Sequence, residues 1–295
     1  MKIAVIGNSF FGQKIAKQLD EFDKNNSYIF YDTNAKTIDK IKYILNLPFI
    51  SRVYLLSASI SGGGALKLAL IFNKKIIQHF IGSDVLVAKE DFANKRVDKN
   101  LIKKSKYLVE VEWIQKELQE IFIESKVESL MAFDTFTKPQ MFKNFSVLTY
   151  INRSKEKFYG IDDFIKLAKH FPDIEFKIAG ISSYNNLPKN INCLGWVDMT
   201  KELQESTVFI RNVKHDGLSF SILESLSLGR VTFYNYNFAY TNYFKDFNNL
   251  LMQFTKVVDD YKNSKIDINY DAIDFIKNKF NKERVLNSLV EAINE

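Results

Sequence analysis

The 295-residue sequence contains a single cysteine, Cys193, so it can form neither an internal disulfide nor a metal site built from several cysteines. No apolar run approaches the roughly 20 residues that a membrane-spanning helix needs. The apolar start, Ile3–Ile6, is too short for a signal peptide. These absences favour a reducing compartment. We expect a cytoplasmic protein, either free or peripheral at the inner face of a membrane.

Several functional classes lack their signatures as well. The chain has no basic arm and no known nucleic-acid module, so we expect no nucleic-acid partner. No Gly-Lys-Ser/Thr follows a glycine-rich turn, which excludes a P-loop. There is no repeat of fixed period and no Asp-x-Asp triplet. An apolar fraction of 46% and a charged fraction of 26% are typical of a globular protein.

Short apolar runs alternate with helical patterns along most of the chain, and this alternation predicts parallel sheets in an α/β fold. It breaks in the segment 133–144, which contains Pro139, and then restarts. We predict two doubly wound, Rossmann-like domains, at residues 1–138 and 145–295, with the last helix packing back on the first domain. In the first half, strands are predicted at Lys2–Ile6, Tyr28–Tyr31, Val53–Leu56, Lys75–His79, Tyr107–Glu110 and Val127–Met131, and helices at Phe11–Leu19, Ala35–Leu45, Ala65–Phe72, Phe92–Lys104 and Ile114–Ile121.

The most informative stretch runs from Lys214 to Phe233. It places two carboxylates, Asp216 and Glu224, seven residues apart around a Gly-Leu-Ser turn, and Gly229 ends the helical run. A helix N-terminus offers free backbone N–H groups to a phosphate, and a carboxylate two turns along can accept hydrogen bonds from sugar hydroxyls. Alternatively, Asp216 caps the helix and Glu224 is an exposed helix residue.

Two further segments carry candidate ligand-binding side chains. The loop after the predicted strand Ser146–Ile151 contains Arg153 and Lys157, which could neutralise a diphosphate, although Lys155 competes and a solvated basic loop is the alternative. The strand Lys75–His79 delivers His79 and then Asp84 to its carboxyl end, where ligands of such sheets bind. A lone histidine in such a position is also commonly structural.

Glycines mark two turns in the first domain. Gly7 and Gly12 nearly match a dinucleotide fingerprint, with Ser9 at the middle glycine and Asp32 where a ribose-binding acid would lie. This leaves an NAD(P)-dependent oxidoreductase as an alternative function. The three glycines at 62–64 indicate either close approach of a ligand or a flexible turn.

The stretch from Lys214 to Phe233 resembles the Glu-x7-Glu motif of retaining glycosyltransferases with the GT-B fold, family 4, with Asp216 in place of the first Glu. That resemblance implies two Rossmann-like domains facing a cleft. It also implies a metal-independent transferase of polysaccharide biosynthesis that needs no cofactor, because the nucleotide-diphosphate sugar is its substrate. Its acceptor would be a saccharide or a lipid-linked saccharide. A non-catalytic binding protein with a GT-B-like cleft is the remaining alternative.

The resemblance also implies roles for single residues. Glu224 would hold the ribose hydroxyls, and Asp216 would approach the donor sugar. The backbone of Gly217, Leu218 and Ser219, with Arg153 and Lys157, would stabilise the departing diphosphate. His79 and Asp84 would contact the donor or the acceptor as catalytic residues, and the Gly7 loop would face the cleft.

Basic residues cluster between Lys89 and Lys106, in a chain whose net charge is +6. They form either a solvated helix face or a contact surface for an anionic membrane.

Overall fold

The computed structural model describes residues 1–295. The chain divides into two compact units: residues Met1–Ala132 together with Lys282–Glu295, and residues Phe133–Asn281. The first unit therefore ends at Ala132 rather than at residue 138, and it includes the end of the chain. Where the chain enters and leaves the second unit, Phe133 pairs with Asn281, and the Phe133 backbone N–H donates to the Phe280 carbonyl at 2.9 Å.

The first unit is built on a six-stranded sheet in the order β2-β1-β3-β4-β5-β6, with every neighbouring pair parallel. Its strands are β1 (Lys2–Gly7), β2 (Ser27–Tyr31), β3 (Arg52–Leu56), β4 (Lys75–Phe80), β5 (Ser105–Val109) and β6 (Lys126–Val127). Its helices are α1 (Ser9–Phe22), α2 (Thr37–Asn46), α3 (Gly64–Ile71), α4 (Asp84–Ala93), α5 (Lys99–Lys104), α6 (Glu112–Gln119) and the final helix α12 (Lys282–Asn294), with a 3-10 turn at Leu47–Phe49.

Alternate residues of β1 explain how this sheet is buried on both faces. Ile3 and Val5 lie in one apolar cluster with side chains of α1 and α12. Ala4 and Ile6 lie in a second cluster with side chains of α2 and α3. Successive strand residues point to opposite faces, so an uninterrupted apolar run supplies both cores.

The end of the chain is fixed to the first unit by polar contacts. The guanidinium of Arg52 donates to the carbonyl oxygens of Ile293 at 2.6 Å and Asn294 at 2.5 Å. Lys106 donates to the Glu295 carboxylate at 2.6 Å. These contacts satisfy carbonyl groups at the C-terminal end of α12, which have no partner within the helix.

The second unit contains another parallel six-stranded sheet, in the order β12-β11-β10-β7-β8-β9. Its strands are β7 (Ser146–Tyr150), β8 (Glu175–Ala179), β9 (Ile191–Gly195), β10 (Val208–Arg211), β11 (Val231–Tyr234) and β12 (Asn242–Tyr243). Its helices are α7 (Ile161–His170), α8 (Met199–Glu205), α9 (Phe220–Ser227), α10 (Phe247–Lys262) and α11 (Tyr270–Lys279).

Each sheet has one point where the strand order reverses direction, and ligands of open α/β sheets bind outside the strand ends at that point. In the first unit it lies between β1 and β3. In the second unit it lies between β7 and β10, which gives the sheet the Rossmann order when it is read from β9. The predicted α/β class with two doubly wound sheets is confirmed.

Two predicted elements of the first unit are wrong in extent. The predicted strand Val127–Met131 pairs only at Lys126–Val127, because the Leu130 N–H donates to the Glu110 carboxylate instead of to a neighbouring strand. The predicted helix Phe92–Lys104 matches only α5 and the last two residues of α4, and most of α4 was not predicted. Asp98 begins α5 by accepting hydrogen bonds from the backbone N–H groups of Asn100 and Leu101. None of the helices is both long and apolar enough to span a bilayer.

Candidate functional site

Two loops meet at the strand-order reversal of the second unit: the loop from β7 to α7 and the loop from β10 to α9. The Lys214 N–H donates to the Phe158 carbonyl at 3.0 Å. Gly160 has a positive φ of 66°, and a Cβ there would lie 2.7 Å from the Asn212 carbonyl oxygen. Only glycine allows this approach without strain, so Gly160 holds the two loops together.

The loop from β7 to α7 carries the predicted diphosphate-binding cations. Arg153, Lys155 and Lys157 are exposed, and none of their side chains forms an ion pair or a hydrogen bond. Three unpaired cations in one loop give this edge of the sheet a positive potential toward an anionic ligand.

Asp216, which is predicted to approach the donor sugar, is held in an ion pair. Its carboxylate accepts hydrogen bonds from Arg211 Nε at 2.5 Å, Arg211 Nη2 at 2.9 Å and the Tyr234 hydroxyl at 2.8 Å. Burial lowers the pKa of Arg211, but the charge and hydrogen bonds of Asp216, together with Tyr234 and Tyr159, raise it, and the net pKa lies above its ordinary value. Asp216 therefore fixes the loop before α9 to strands β10 and β11, and we assign it a positioning role.

The loop that follows presents unpaired backbone donors. The N–H groups of Gly217, Leu218 and Ser219 donate no hydrogen bond to the protein, and the Ser219 side chain does not cap α9. The Tyr234 hydroxyl donates to the Gly217 carbonyl at 3.2 Å and helps to fix the loop. The start of α9 thus offers donors and the positive end of a helix dipole at the strand-order reversal.

Glu224 lies one turn inside α9 and is half-buried. Its Oε1 accepts a hydrogen bond from the Thr200 hydroxyl at 3.3 Å, at the start of α8. Burial, and then the nearby Asp198 charge, raise the pKa of Glu224 to about 7 despite the Thr200 contact. With one long hydrogen bond, the carboxylate keeps capacity to accept from a ligand.

The strand-order reversal of the first unit carries a cavity of about 700 Å³. Its walls include Gly7 at the end of β1, the glycines 62–64 before α3, and Lys40 and Ile44 of α2. A Cβ at Gly7 would lie 2.0 Å from the Leu56 carbonyl oxygen, so close strand packing alone explains that glycine. A Cβ at Gly63 or Gly64 would meet nothing within 4 Å, so protein packing does not explain these two.

His79 is not available to a substrate, which corrects its prediction as a catalytic residue. The side chain has no exposed surface, and its Nδ1 lies 2.7 Å from the Tyr54 hydroxyl. Burial lowers the pKa of His79 to about 3. His79 is thus a neutral core residue in the middle of the first sheet, and its position near a strand end did not reveal that it points inward.

Asp84 also has a structural explanation. Its carboxylate accepts hydrogen bonds from the backbone N–H groups of Ala58, Ile81 and Gly82, at 2.9 to 3.2 Å. Burial raises the pKa of Asp84 to about 6 although these hydrogen bonds lower it. The carboxylate ties two strand-end loops together, which leaves it little capacity for a ligand.

The dinucleotide alternative loses its ribose-binding acid. The Ser9 hydroxyl donates to Asp32 Oδ2 at 3.0 Å, and the Ala35 N–H donates to Oδ1 at 3.0 Å. Asp32 is buried. The serine that replaces the middle glycine therefore occupies the carboxylate that a ribose would need.

Three of the seven basic residues between Lys89 and Lys106 form ion pairs. Lys89 pairs with Glu120, Arg96 with Glu90 and Asp91, and Lys106 with Glu295. The other four, Lys95, Lys99, Lys103 and Lys104, are exposed and form no ion pair, and membrane contact through this segment stays a prediction.

Sequence reasoning missed the partners that set the site's geometry. Arg211 ends an apolar strand and is buried, and a buried cation requires a partner, so the pairing with Asp216 had a detectable signal. The sequence carries no signal for Tyr234 or Thr200, because each meets its partner, Asp216 or Glu224, only in the folded chain.

No protein-family model matches the chain, and no curated protein matches it by sequence. Comparison with solved structures gives many matches. TarM from S. aureus, solved with fondaparinux, alpha-GlcNAc-glycerol and UDP, has 14% sequence identity and a TM-score of 0.61, over 87% of this chain and 59% of its own. The present chain thus spans about three fifths of the length of that protein.

Two other matches extend over nearly the full length of both proteins. HepE from Anabaena, solved in complex with UDP, has 12% identity and a TM-score of 0.74 over 100% of each chain. Sucrose-phosphate synthase from Thermosynechococcus elongatus has 10% identity and a TM-score of 0.70, over 99% of this chain and 98% of its own. The fold is that of GT-B glycosyltransferases, as predicted.

Proposed function

We propose that this chain is a glycosyltransferase that moves a sugar from a nucleotide-diphosphate donor to an acceptor. The observation that carries the proposal is the arrangement at the strand-order reversal of the second unit. There, unpaired N–H groups at Gly217–Ser219 and unpaired cations at Arg153 and Lys157 flank the same two strands. Glu224 follows one turn into the helix, with carboxylate capacity to spare.

Each part suits one piece of such a donor. The N–H groups and the two cations would bind the diphosphate. The Glu224 carboxylate lies one turn along α9 from these N–H groups, and it would accept hydrogen bonds from the ribose hydroxyls. HepE and TarM were both solved with UDP, which supports a uridine nucleotide as the first donor to test.

The reaction breaks the bond between the anomeric carbon and a diphosphate oxygen, and it forms a bond to an acceptor oxygen whose proton is lost. Negative charge grows on the leaving diphosphate in the transition state. Preorganised N–H donors and cations at that position lower the barrier. We propose that transfer resembles that of family 4, with retention at the anomeric carbon and without a cofactor or a metal ion.

The acceptor is proposed to enter the cavity of the first unit. That cavity is lined by glycines 62–64, serines and apolar side chains, with Lys40 as its charged residue. Such a lining suits uncharged hydroxyl-rich groups, so a saccharide or a lipid-linked saccharide of polysaccharide biosynthesis fits it.

The direct test is a donor screen that measures nucleotide release, with and without saccharide acceptors, in the wild type and in Glu224→Gln. Hydrogen bonds to a charged acceptor contribute about 1.5–3 kcal/mol, so the variant should lose roughly ten- to hundred-fold in kcat/KM. Glu205→Gln, an exposed change on α8, is the matched control and should turn over normally. Unchanged turnover in Glu224→Gln would refute the role of Glu224.

Calorimetric titration separates the alternatives. A transferase should bind UDP or GDP more tightly than NAD. Tight NAD binding, with neither nucleoside diphosphate bound, would favour the oxidoreductase. Binding of a nucleoside diphosphate with no transfer to any acceptor and no donor hydrolysis would favour a non-catalytic binding protein.

A further inference from the structure

Helix α2 of the first unit is amphipathic, yet its apolar side faces away from the protein. Tyr43 is its only buried residue. Ile38, Ile41 and Leu45 recur at the spacing of one helix face, and more than half of each side chain is exposed, at 67%, 53% and 68%. A helix of a globular protein normally buries such a stripe, so this one lacks its partner.

The exposed apolar surface continues beyond α2. The 3-10 turn adds Phe49, exposed at 72%, and the end of α3 adds Ile71, exposed at 75%. These elements are held together, because the Tyr43 hydroxyl donates to the Ala65 carbonyl at 3.0 Å and Lys74 donates to the Pro48 carbonyl at 3.1 Å. We call Ile38, Ile41, Leu45, Phe49 and Ile71 the α2 face.

Positive charge predominates along the α2 face. Helix α2 and the residue before it carry three lysines, Lys36, Lys40 and Lys42, and one acidic residue. The single acid, Asp39, accepts a hydrogen bond from the Asp32 N–H at 3.2 Å. Lys36 and Lys42 flank the apolar stripe and are exposed and unpaired.

We propose that the α2 face docks on an anionic lipid bilayer. Apolar side chains next to lysines on a surface helix suit the boundary between head groups and acyl chains, where both kinds of side chain gain favourable contacts. Anionic lipids attract the lysines. A second copy of this chain would bring the same three lysines against the first, so like-charge repulsion opposes a dimer at this face. The proposal does not depend on the transfer reaction.

The apolar half of the proposal is tested by co-sedimentation of the full chain with vesicles. The vesicles are phosphatidylcholine with 30–40% phosphatidylglycerol (an approximate composition chosen for a strong surface potential), compared with pure phosphatidylcholine. Wild type should bind the anionic vesicles, and the triple variant I38S/I41S/L45S should lose about ten-fold or more in partition. The matched control is V87S/M252S, which removes similarly exposed apolar side chains elsewhere and should bind normally.

The basic half is tested by Lys36→Gln with Lys42→Gln, neither of which lines the cavity. Binding to anionic vesicles should fall about ten-fold at low ionic strength, and the difference from wild type should shrink as salt is added. Lys256→Gln with Lys262→Gln on α10 removes two exposed lysines of the second unit and is the control. Circular dichroism should show wild-type folding in all variants, because each changed side chain is exposed.

Three results would overturn the proposal. One is no binding of wild type to the anionic vesicles. Another is vesicle binding that the I38S/I41S/L45S variant retains in full. The third is concentration-dependent self-association in light scattering, abolished by the same variant and without vesicle binding, which would assign the face to a second copy. Failure of sugar transfer with normal vesicle binding would leave this proposal intact and refute only the transferase proposal.

Discussion

The two strand-order reversals lie at equivalent edges of two parallel sheets, and their loops differ in charge. In the first unit, the residues 57–63 after β3 are small or apolar and include no charged side chain. In the second unit, the residues 151–160 after β7 include three cations and one carboxylate, Glu156. The loop after β3 is therefore neutral, and the loop after β7 is positive.

The loops also differ in what fixes them. In the second unit, the ion pair of Arg211 with Asp216 and the close approach of Gly160 to Asn212 hold the backbone in one position. In the first unit, Gly63 and Gly64 border open space. A rigid, positive loop suits a diphosphate whose charge changes during the reaction, and an open neutral loop suits hydroxyl groups of varied saccharides.

Among the substitutions that test this difference between the two units, Asp216→Asn should have the largest effect on stability. The change keeps the shape but leaves Arg211, a buried cation, without a counter-charge. Loss of one partner of a buried pair typically costs about 3–5 kcal/mol. Guanidinium unfolding followed by circular dichroism should show a free energy of unfolding lower by about that amount, together with weaker binding of UDP.

The comparison needs two further variants. Asp32→Asn in the first unit removes a carboxylate whose side-chain and backbone hydrogen-bond donors, Ser9 and Ala35, are neutral, and it should cost much less stability. Arg211→Met combined with Asp216→Asn should recover part of the loss, because it removes the unpaired charge as well. A single Asp216→Asn variant as stable as wild type would show that the ion pair does not fix the loop.

Gly160→Ala tests the contact between the two loops of the second unit. The new Cβ would lie 2.7 Å from the Asn212 carbonyl oxygen, at a φ of 66° that alanine adopts only with strain. We expect a loss of about 2 kcal/mol in unfolding free energy. UDP affinity should fall as well, because the loop that carries Arg153 and Lys157 would shift. Normal UDP affinity together with reduced stability would show that the contact between the loops is not needed for donor binding.

How far the sequence predicts this molecule depends on whether a signal is local. The alternation of apolar runs and helical patterns predicted both sheets, and the spacing of Asp216, Gly217 and Glu224 located the start of α9. The direction of a side chain is not a local signal. His79 lies at the carboxyl end of β4 and Asp84 follows that strand, as ligand-binding residues do, yet both point inward. The difference arises from Tyr54 and from the N–H groups of Ala58, Ile81 and Gly82, which meet them only in the folded chain.

Glu224 should make UDP binding at the second unit depend on pH. Its pKa of about 7 means that the ionised carboxylate, the form that accepts hydrogen bonds from ribose hydroxyls, predominates only above that pH. UDP binding should therefore tighten as pH rises from 6 to 8, by roughly ten-fold at most if one proton is released. Calorimetry across this range checks it. The Glu224→Gln variant has no titratable group at this position, so its UDP affinity should change with pH only through the titration of the nucleotide itself. The same pH dependence of UDP affinity in both proteins would contradict the assignment.

Gly63→Ala should have the smallest effect on stability and gives the most specific test of the first unit. The added Cβ meets nothing within 4 Å, and the φ of −156° is open to any residue, so the free energy of unfolding should stay within about 0.5 kcal/mol of wild type. The methyl group would enter the space that the proposed acceptor occupies. The KM for a saccharide acceptor should then rise several-fold while UDP affinity stays unchanged, the opposite pattern from Gly160→Ala. An unchanged acceptor KM would mean that the open glycine loop reflects mobility rather than binding, and the acceptor would have to be sought elsewhere in the molecule.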